Sequence, residues 1–229
     1  MRTGQLPRVE ELAARIHNTL VAPETTLADI RAFCDEAKRN RFGAVVIQGC
    51  WIARVREMMK GSGVKVSVGV GFPMGGVATE AKLSEVRETA RLGADEFDYM
   101  PNIGFLKSGM EDEFRDEIAR IVKAADGRGV RVMLELSILD HDQKVKAARL
   151  SEEAGVSGVK NSSGWGRGGP ATVEDIRLLR SSVSKKVYVK ASGGIRDLDN
   201  SLRLIEAGAE YLGTRAGAAI LDELRERIK

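Results

Sequence analysis

Three ionisable residues close strand-like runs in this chain: Asp98 in GADEFDYM, Lys160 in GVKNSSGWG and Lys190 in VYVKASGGIR. A lysine that ends a strand before a Ser/Gly-rich loop has nowhere to extend except into the mouth of the sheet. Two such lysines on consecutive strands repel one another as ammonium ions, and each lowers the other's pKa. The neutral amine that results can attack a carbonyl and form a Schiff base. Asp98, two strands before Lys160, is placed to move a proton through water or to polarise the second lysine. Glu96 shares its face by the strand period of two. Glu135, at the end of the fifth strand, is expected to form a structural ion pair with a lysine. A lone strand-end lysine more often serves an ion pair than a reaction; two in sequence, each followed by glycine, point to chemistry.

The next strand ends read SGGIR (Ser192 to Arg196) and GTRAG (Gly213 to Gly217). Glycines there let backbone amides approach an anion at helix N-termini, where α/β barrels commonly hold phosphate. Gly193, Gly194, Gly213 and Arg215, with Gly164 in the loop after Lys160, are therefore the candidate substrate- and phosphate-binding residues. GVGFPMGG (Gly69 to Gly76) has the wrong spacing for a dinucleotide fingerprint, and Pro73 interrupts it. Two histidines, His17 and His141, and two cysteines, Cys34 and Cys50, stand at unrelated spacings and assemble no zinc-ligand cluster. No metal and no cofactor are expected. Cys34, on the apolar face of a helix, is expected to be packing.

These residues need a frame that brings strand ends together. Short strand-like runs alternate with amphipathic segments, the pattern of a parallel sheet wrapped in helices. Strands are expected near Ile16 to Leu20, Ala44 to Gln48, Lys65 to Val70, Glu96 to Met100, Val130 to Glu135, Gly158 to Lys160, Val187 to Lys190 and Tyr211 to Gly213. Helical stripes fall at Leu27, Ile30, Phe33 and Ala37, at Leu83, Val86 and Ala90, and at Met110, Phe114, Ile118, Ile121 and Ala125. Thr172 and Asp197 mark helix starts; Gly93, Gly127 and Gly208 mark stops. Gly43-Ala44, Gly93-Ala94, Gly155-Val156 and Gly208-Ala209 recur before even-numbered strands, a weak repeat of about two βα units that favours closure. The expectation is one (β/α)₈ TIM-barrel domain over residues 1–229, with an extra N-terminal helix in residues 1–15 covering one end.

Bulk properties agree. The chain has 229 residues, a length typical of such a barrel, with 43% hydrophobic and 30% charged residues, which excludes disorder. The 36 basic and 33 acidic residues are spread evenly, so neither nucleic acid nor a membrane is an expected partner. No run suggests a signal peptide or a bilayer span, and a cytoplasmic location with reduced thiols is the expectation. The oligomeric state is not legible, and a homo-oligomer stays open.

Five segments together resemble the deoxyribose-phosphate aldolases: GFPMG (Gly71 to Gly75), GADEFDYMPNIGFLKSG (Gly93 to Gly109), GVKNSSGWG (Gly158 to Gly166), GGPATVEDIRLLR (Gly168 to Arg180) and VKASGGIR (Val189 to Arg196). The resemblance covers nearly the whole chain. It implies a metal-free class I lyase in which Lys160 forms the Schiff base, Lys190 perturbs it and Asp98 shuttles a proton. It also implies reversible cleavage of 2-deoxyribose 5-phosphate to glyceraldehyde 3-phosphate and acetaldehyde. The chain departs from the family at His17-Asn18-Thr19, where Asp-His-Thr is usual, so a carboxylate is missing beside the lysines. It departs again at Arg215-Ala216, where paired serines are common. An arginine there can bind phosphate by a charge-assisted fork or accept another anion such as a carboxylate. Two alternatives therefore stay beside the main one: a related Schiff-base aldolase with a different carbonyl substrate, and a non-catalytic barrel that binds a sugar phosphate.

Overall fold

In the computed structural model, which describes residues 6–229, eight parallel strands pair in sequence order and close. They are β1 (Ile16–Leu20), β2 (Ala44–Ile47), β3 (Lys65–Val70), β4 (Glu96–Tyr99), β5 (Gly129–Met133), β6 (Gly158–Lys160), β7 (Tyr188–Ser192) and β8 (Tyr211–Thr214). Closure is direct: β8 lies against β1, with Gly213 opposite His17. Around them run α1 (Val9–Arg15), α2 (Leu27–Asn40), α3 (Ile52–Met59), α4 (Thr79–Arg91), α5 (Ile103–Lys107), α6 (Glu111–Ala124), α7 (His141–Glu153), α8 (Val173–Ser182), α9 (Leu198–Glu206) and α10 (Gly217–Arg227). The expected barrel is the fold. Of the expected extra N-terminal helix, α1 is present, and residues 1–5 lie outside the described residues.

The period of two divides every strand between two environments. Outward residues such as Val45, Val66, Val68, Phe97, Val130, Val132, Val159 and Val189 are buried in the apolar layer beneath the helices. The inward positions are unlike a usual barrel filling of branched aliphatics. They include His17, Ser67, Glu96, Asp98, Arg131, Lys160 and Lys190, all buried. Polar groups removed from water must find partners, so this interior is held by ion pairs and hydrogen bonds instead of by packing alone.

The helix signals worked where the side chain itself makes the cap. Thr172 accepts from Asp175 N, and Asp197 from Asn200 N. Besides one-residue shifts at the ends of β2, β4 and β8, several details differ from expectation. Met110 is not part of an apolar stripe; it caps α6 and is exposed, and burial starts at Phe114. β5 stops at Met133, because Glu135 turns left-handed (φ 47°) into a 3-10 turn. β7 runs on to Ser192 and starts only at Tyr188. In the Gly-Ala repeat, Gly43 is glycine for want of space against the Ala14 carbonyl, and the left-handed turn there falls to Arg41.

Candidate active site

The site is built from neighbouring strands. Register places Asp98 opposite Arg131, Met133 opposite Lys160 and Lys160 opposite Lys190. All these side chains face inward, and they converge on one carboxylate. Asp98 Oδ2 accepts from Lys160 Nζ at 3.1 Å and from Lys190 Nζ at 2.9 Å, while Oδ1 accepts from Arg131 Nε. Arg131 also donates to Glu96, Ser67 and the Tyr188 hydroxyl. Glu96 in turn reaches Lys65 toward the opposite end of the barrel, 2.6 Å away.

Charge decides the protonation states. Burial alone would push the Asp98 carboxyl up, but Arg131, Lys160 and Lys190 overrule it and hold Asp98 well below the usual carboxylate range. Lys190 moves the other way. Burial, aided by the positive charges of Arg131 and Lys160 and opposed by Asp98, sets its pKa well below an ordinary lysine. The ledger agrees: Glu96 and Asp98 carry two negative charges, and Lys65 and Arg131 already balance them. A proton on Lys190 is therefore an excess charge in a desolvated place.

Room for Lys190 comes from a glycine. A Cβ on Gly213 would stand 3.1 Å from Lys190 Cε and 3.0 Å from Ser192 Oγ. Gly213 thus accommodates the lysine as well as facing the cavity above it. That cavity, of about 520 Å³, lies at the C-terminal ends of the strands and is lined by all five residues expected to bind substrate or phosphate: Gly164, Gly193, Gly194, Gly213 and Arg215. Gly193 has φ 100°, and a side chain there would collide with the Gly169 carbonyl, so the close crossing of the two loops requires it. Arg215 is exposed on the rim. Thr19, Ser163, Ser192 and Arg196 complete the polar wall.

Such a site can hold an amine nucleophile, a permanently ionised carboxylate beside it and, one layer above, an anion. Among the described residues no cluster of three or more His, Cys, Asp or Glu side chains suits a metal ion. A model of the DeoC/LacD family aldolases matches residues 11–223. The chain belongs to that family. Deoxyribose-phosphate aldolase of Dictyoglomus turgidum is 42% identical over 214 residues, covering 93% of this chain and 97% of that one. Deoxyribose-phosphate aldolase 2 of Staphylococcus aureus is 41% identical, covering 93% and 96%. The tetrameric deoxyribose phosphate aldolase of Aeropyrum pernix superposes with a TM-score of 0.89 at 30% identity, covering 96% of this chain and 93% of that one. Family and relatives make this protein an aldolase and hence a lyase.

Structure and sequence part company at some residues of this aldolase. Glu135 makes no ion pair with a lysine; its carboxylate accepts from the Ser163 backbone N–H and braces the loop after β6. Burial raises its pKa, against that hydrogen bond and the Lys160 charge. Arg131, the largest fully buried side chain, was not among the expected site residues. Its signal was a lone charge in Val-Arg-Val-Met, at an inward position of a strand. His17 sits inside the barrel, its ring 4.5 Å from that of Tyr211 and its Nδ1 without a partner. Burial, with Lys190 and Arg131 nearby, pushes its pKa well down, so it stays a neutral imidazole.

Proposed function

We propose that this aldolase reversibly cleaves 2-deoxyribose 5-phosphate through a Schiff base on Lys160. The observation that carries the reading is the sharing of Asp98 Oδ2 by Lys160 and Lys190. Lys190 is fully buried against Gly213, whereas Lys160 is 3% exposed and is the one of the two that substrate can meet. Its amine adds to the aldehyde carbon of the open-chain sugar, and water leaves to give an iminium. Loss of the proton from the hydroxyl on the third carbon breaks the bond between the second and third carbons. The electron pair passes to the iminium as an enamine, and glyceraldehyde 3-phosphate departs. Protonation of the enamine and hydrolysis then release acetaldehyde and regenerate the lysine. Lys190 and Asp98 hold and return the protons.

Gly164, Gly193, Gly194, Gly213 and Arg215 receive the phosphate, with no cofactor taking part. Residues 1–229 act as one barrel domain. Likeness to the Aeropyrum tetramer supports a homo-oligomer, and two unpaired cysteines suit the reducing cytoplasm. No described helix is long and apolar enough to cross a membrane. The exposed Arg215 favours one second reading, the same lysine chemistry with an acceptor that carries a different anion.

Incubation with 2-deoxyribose 5-phosphate tests the proposal. Acetaldehyde and glyceraldehyde 3-phosphate should appear in equal amounts, and Lys160→Met should abolish both. That variant should remain folded, because Asp98 keeps Arg131 and Lys190 as partners. Cleavage that survives the substitution contradicts the role of Lys160; failure to cleave this sugar while other phosphorylated or carboxylated aldols are cleaved favours the second reading.

A further inference from the structure

The two lysines stand on neighbouring strands, and the backbone between those strands changes partner at the level of the site. Lys160 is the register partner of Lys190 and the last residue of β6, whereas β7 continues to Ser192. One step past Lys160, a regular parallel ladder would have the Asn161 N–H donate to the Lys190 carbonyl and the Asn161 carbonyl accept from the Ser192 N–H. The first bond is long, 3.4 Å. The second is replaced: the Asn161 carbonyl has turned to the other neighbour, where the Leu136 N–H donates to it at 2.9 Å. Directly beyond its lysine, the chain of β6 thus leaves β7 for the segment after β5.

The Asn161 side chain closes the gap. Its Oδ1 accepts from the Ser192 N–H at 2.8 Å, and its Nδ2 donates to the Ser192 carbonyl at 3.1 Å. The carboxamide stands in for a peptide unit, with a donor and an acceptor both used on one residue. Asn161 is 1% exposed and Ser192 is buried, so a backbone group that lost its partner here would stay unpaired. What the splint holds in place matters for the chemistry. Lys160 immediately precedes Asn161, Lys190 lies two residues before Ser192, and the two amines meet on Asp98 Oδ2.

We infer that Asn161 is a positioning residue for the reaction: its carboxamide ties the ends of β6 and β7 and so sets the spacing of Lys160 and Lys190 about Asp98. The inference rests on the Schiff-base reading of these lysines. Asn161 is not part of the cavity wall, so its effect falls on the chemical step and not on substrate binding. A misplacement of about 1 Å, caused from outside the reacting groups, can cost about 100-fold in rate.

The test compares the wild-type protein with Asn161→Ala, Asn161→Leu and Asn161→Thr, each checked for folding by urea denaturation. Turnover is read as kcat on 2-deoxyribose 5-phosphate or, if the wild-type protein does not cleave that sugar, as the initial rate of borohydride trapping of acetaldehyde on Lys160. Leucine nearly keeps the volume and alanine does not, but neither can pair with Ser192. Both should lower turnover by roughly 10- to 100-fold with KM little changed, and threonine, whose hydroxyl can keep one of the two bonds, should fall between. Lower stability with wild-type turnover overturns the positioning role, as does a loss confined to Asn161→Ala or a rise in KM alone. No trapping on Lys160 in the wild-type protein overturns the Schiff-base reading and this role with it; trapping there with turnover unchanged in the variants overturns this role alone. If the alanine and leucine variants do not fold, Asn161→Thr decides: wild-type turnover overturns the role, and reduced turnover at unchanged KM supports it.

Discussion

The buried charge cluster and the cavity above it are adjacent on the same strands, yet they are made in opposite ways. Around Asp98 every cation has a geometric partner, exposure is nearly nil, and each position is set by strand register. Around the cavity the wall is loop, much of it glycine, and the strongest charges, Arg196 and Arg215, stand in solvent. A closed cluster tied together by one shared carboxylate is suited to fix the chemistry proposed for it. An open rim of loops can exchange a side chain at little cost, so it specifies what is brought to the reaction. Lys190 and Ser192, two residues apart on the inner face of β7, mark the passage from one regime to the other.

The largest effect expected from this contrast is at Asp98. Asp98→Asn leaves Arg131, Lys160 and Lys190 facing one another without their shared carboxylate. Removing one partner from a buried ion cluster costs about 3–5 kcal/mol, and denaturant unfolding should show a loss of that order together with loss of turnover. A loss below about 1 kcal/mol would mean that the cluster is far less interdependent than its geometry.

At the rim the effect should be smaller and confined to binding. Arg215→Ala removes one charge-assisted contact from an exposed position and should raise KM for phosphorylated substrates about tenfold, with kcat and folding stability little changed. KM for an unphosphorylated acceptor should stay nearly constant. Equal changes for both kinds of acceptor would remove Arg215 from anion binding, and a fall in kcat alone would erase the proposed division of labour.

The smallest effect concerns His17, which belongs to the closed region but bears no charge. Its native pKa lies well below the ordinary 6.5 because burial, Lys190, Arg131 and Lys160 outweigh Asp98. Below about pH 6.5 the unfolded chain takes up a proton that the native state refuses, so stability present at neutral pH is lost as pH falls toward the native pKa. The slope from this group is at most about 1.4 kcal/mol per pH unit. Unfolding free energies of the wild-type protein and His17→Gln between pH 7.5 and 5 should diverge accordingly, the variant having the flatter profile. Parallel profiles would mean that His17 titrates normally in the folded barrel.

The sequence made the frame and the lysines readable for physical reasons that stop at the barrel interior. Thr172 and Asp197 cap their own helices, and the outward apolar residues of β2 to β5, such as Val66 and Val68 or Val130 and Val132, repeat every second residue, so local pattern was enough. Lys160 and Lys190 were recognisable because both stand just ahead of Ser/Gly-rich loops, although β7 runs two residues past Lys190. Arg131 was not: its meaning comes from standing opposite Asp98, a register that no stretch of β5 encodes. Glu135 carries a charge in the right region, but a left-handed turn aims it at the Ser163 amide. Phe72 and Trp165 lie 93 positions apart in loops, where only the closed barrel brings them together.

The central proposal, that Lys160 forms the Schiff base, is tested most directly by covalent trapping. The protein is incubated with acetaldehyde, reduced with borohydride and mapped by peptide mass spectrometry. The account predicts one ethyl group, a gain of about 28 Da from the chemistry of reductive alkylation, on the peptide containing Lys160, and none at that peptide in Lys160→Met. A trapped Lys190 with Lys160 unmodified, or no adduct on any lysine, would contradict it.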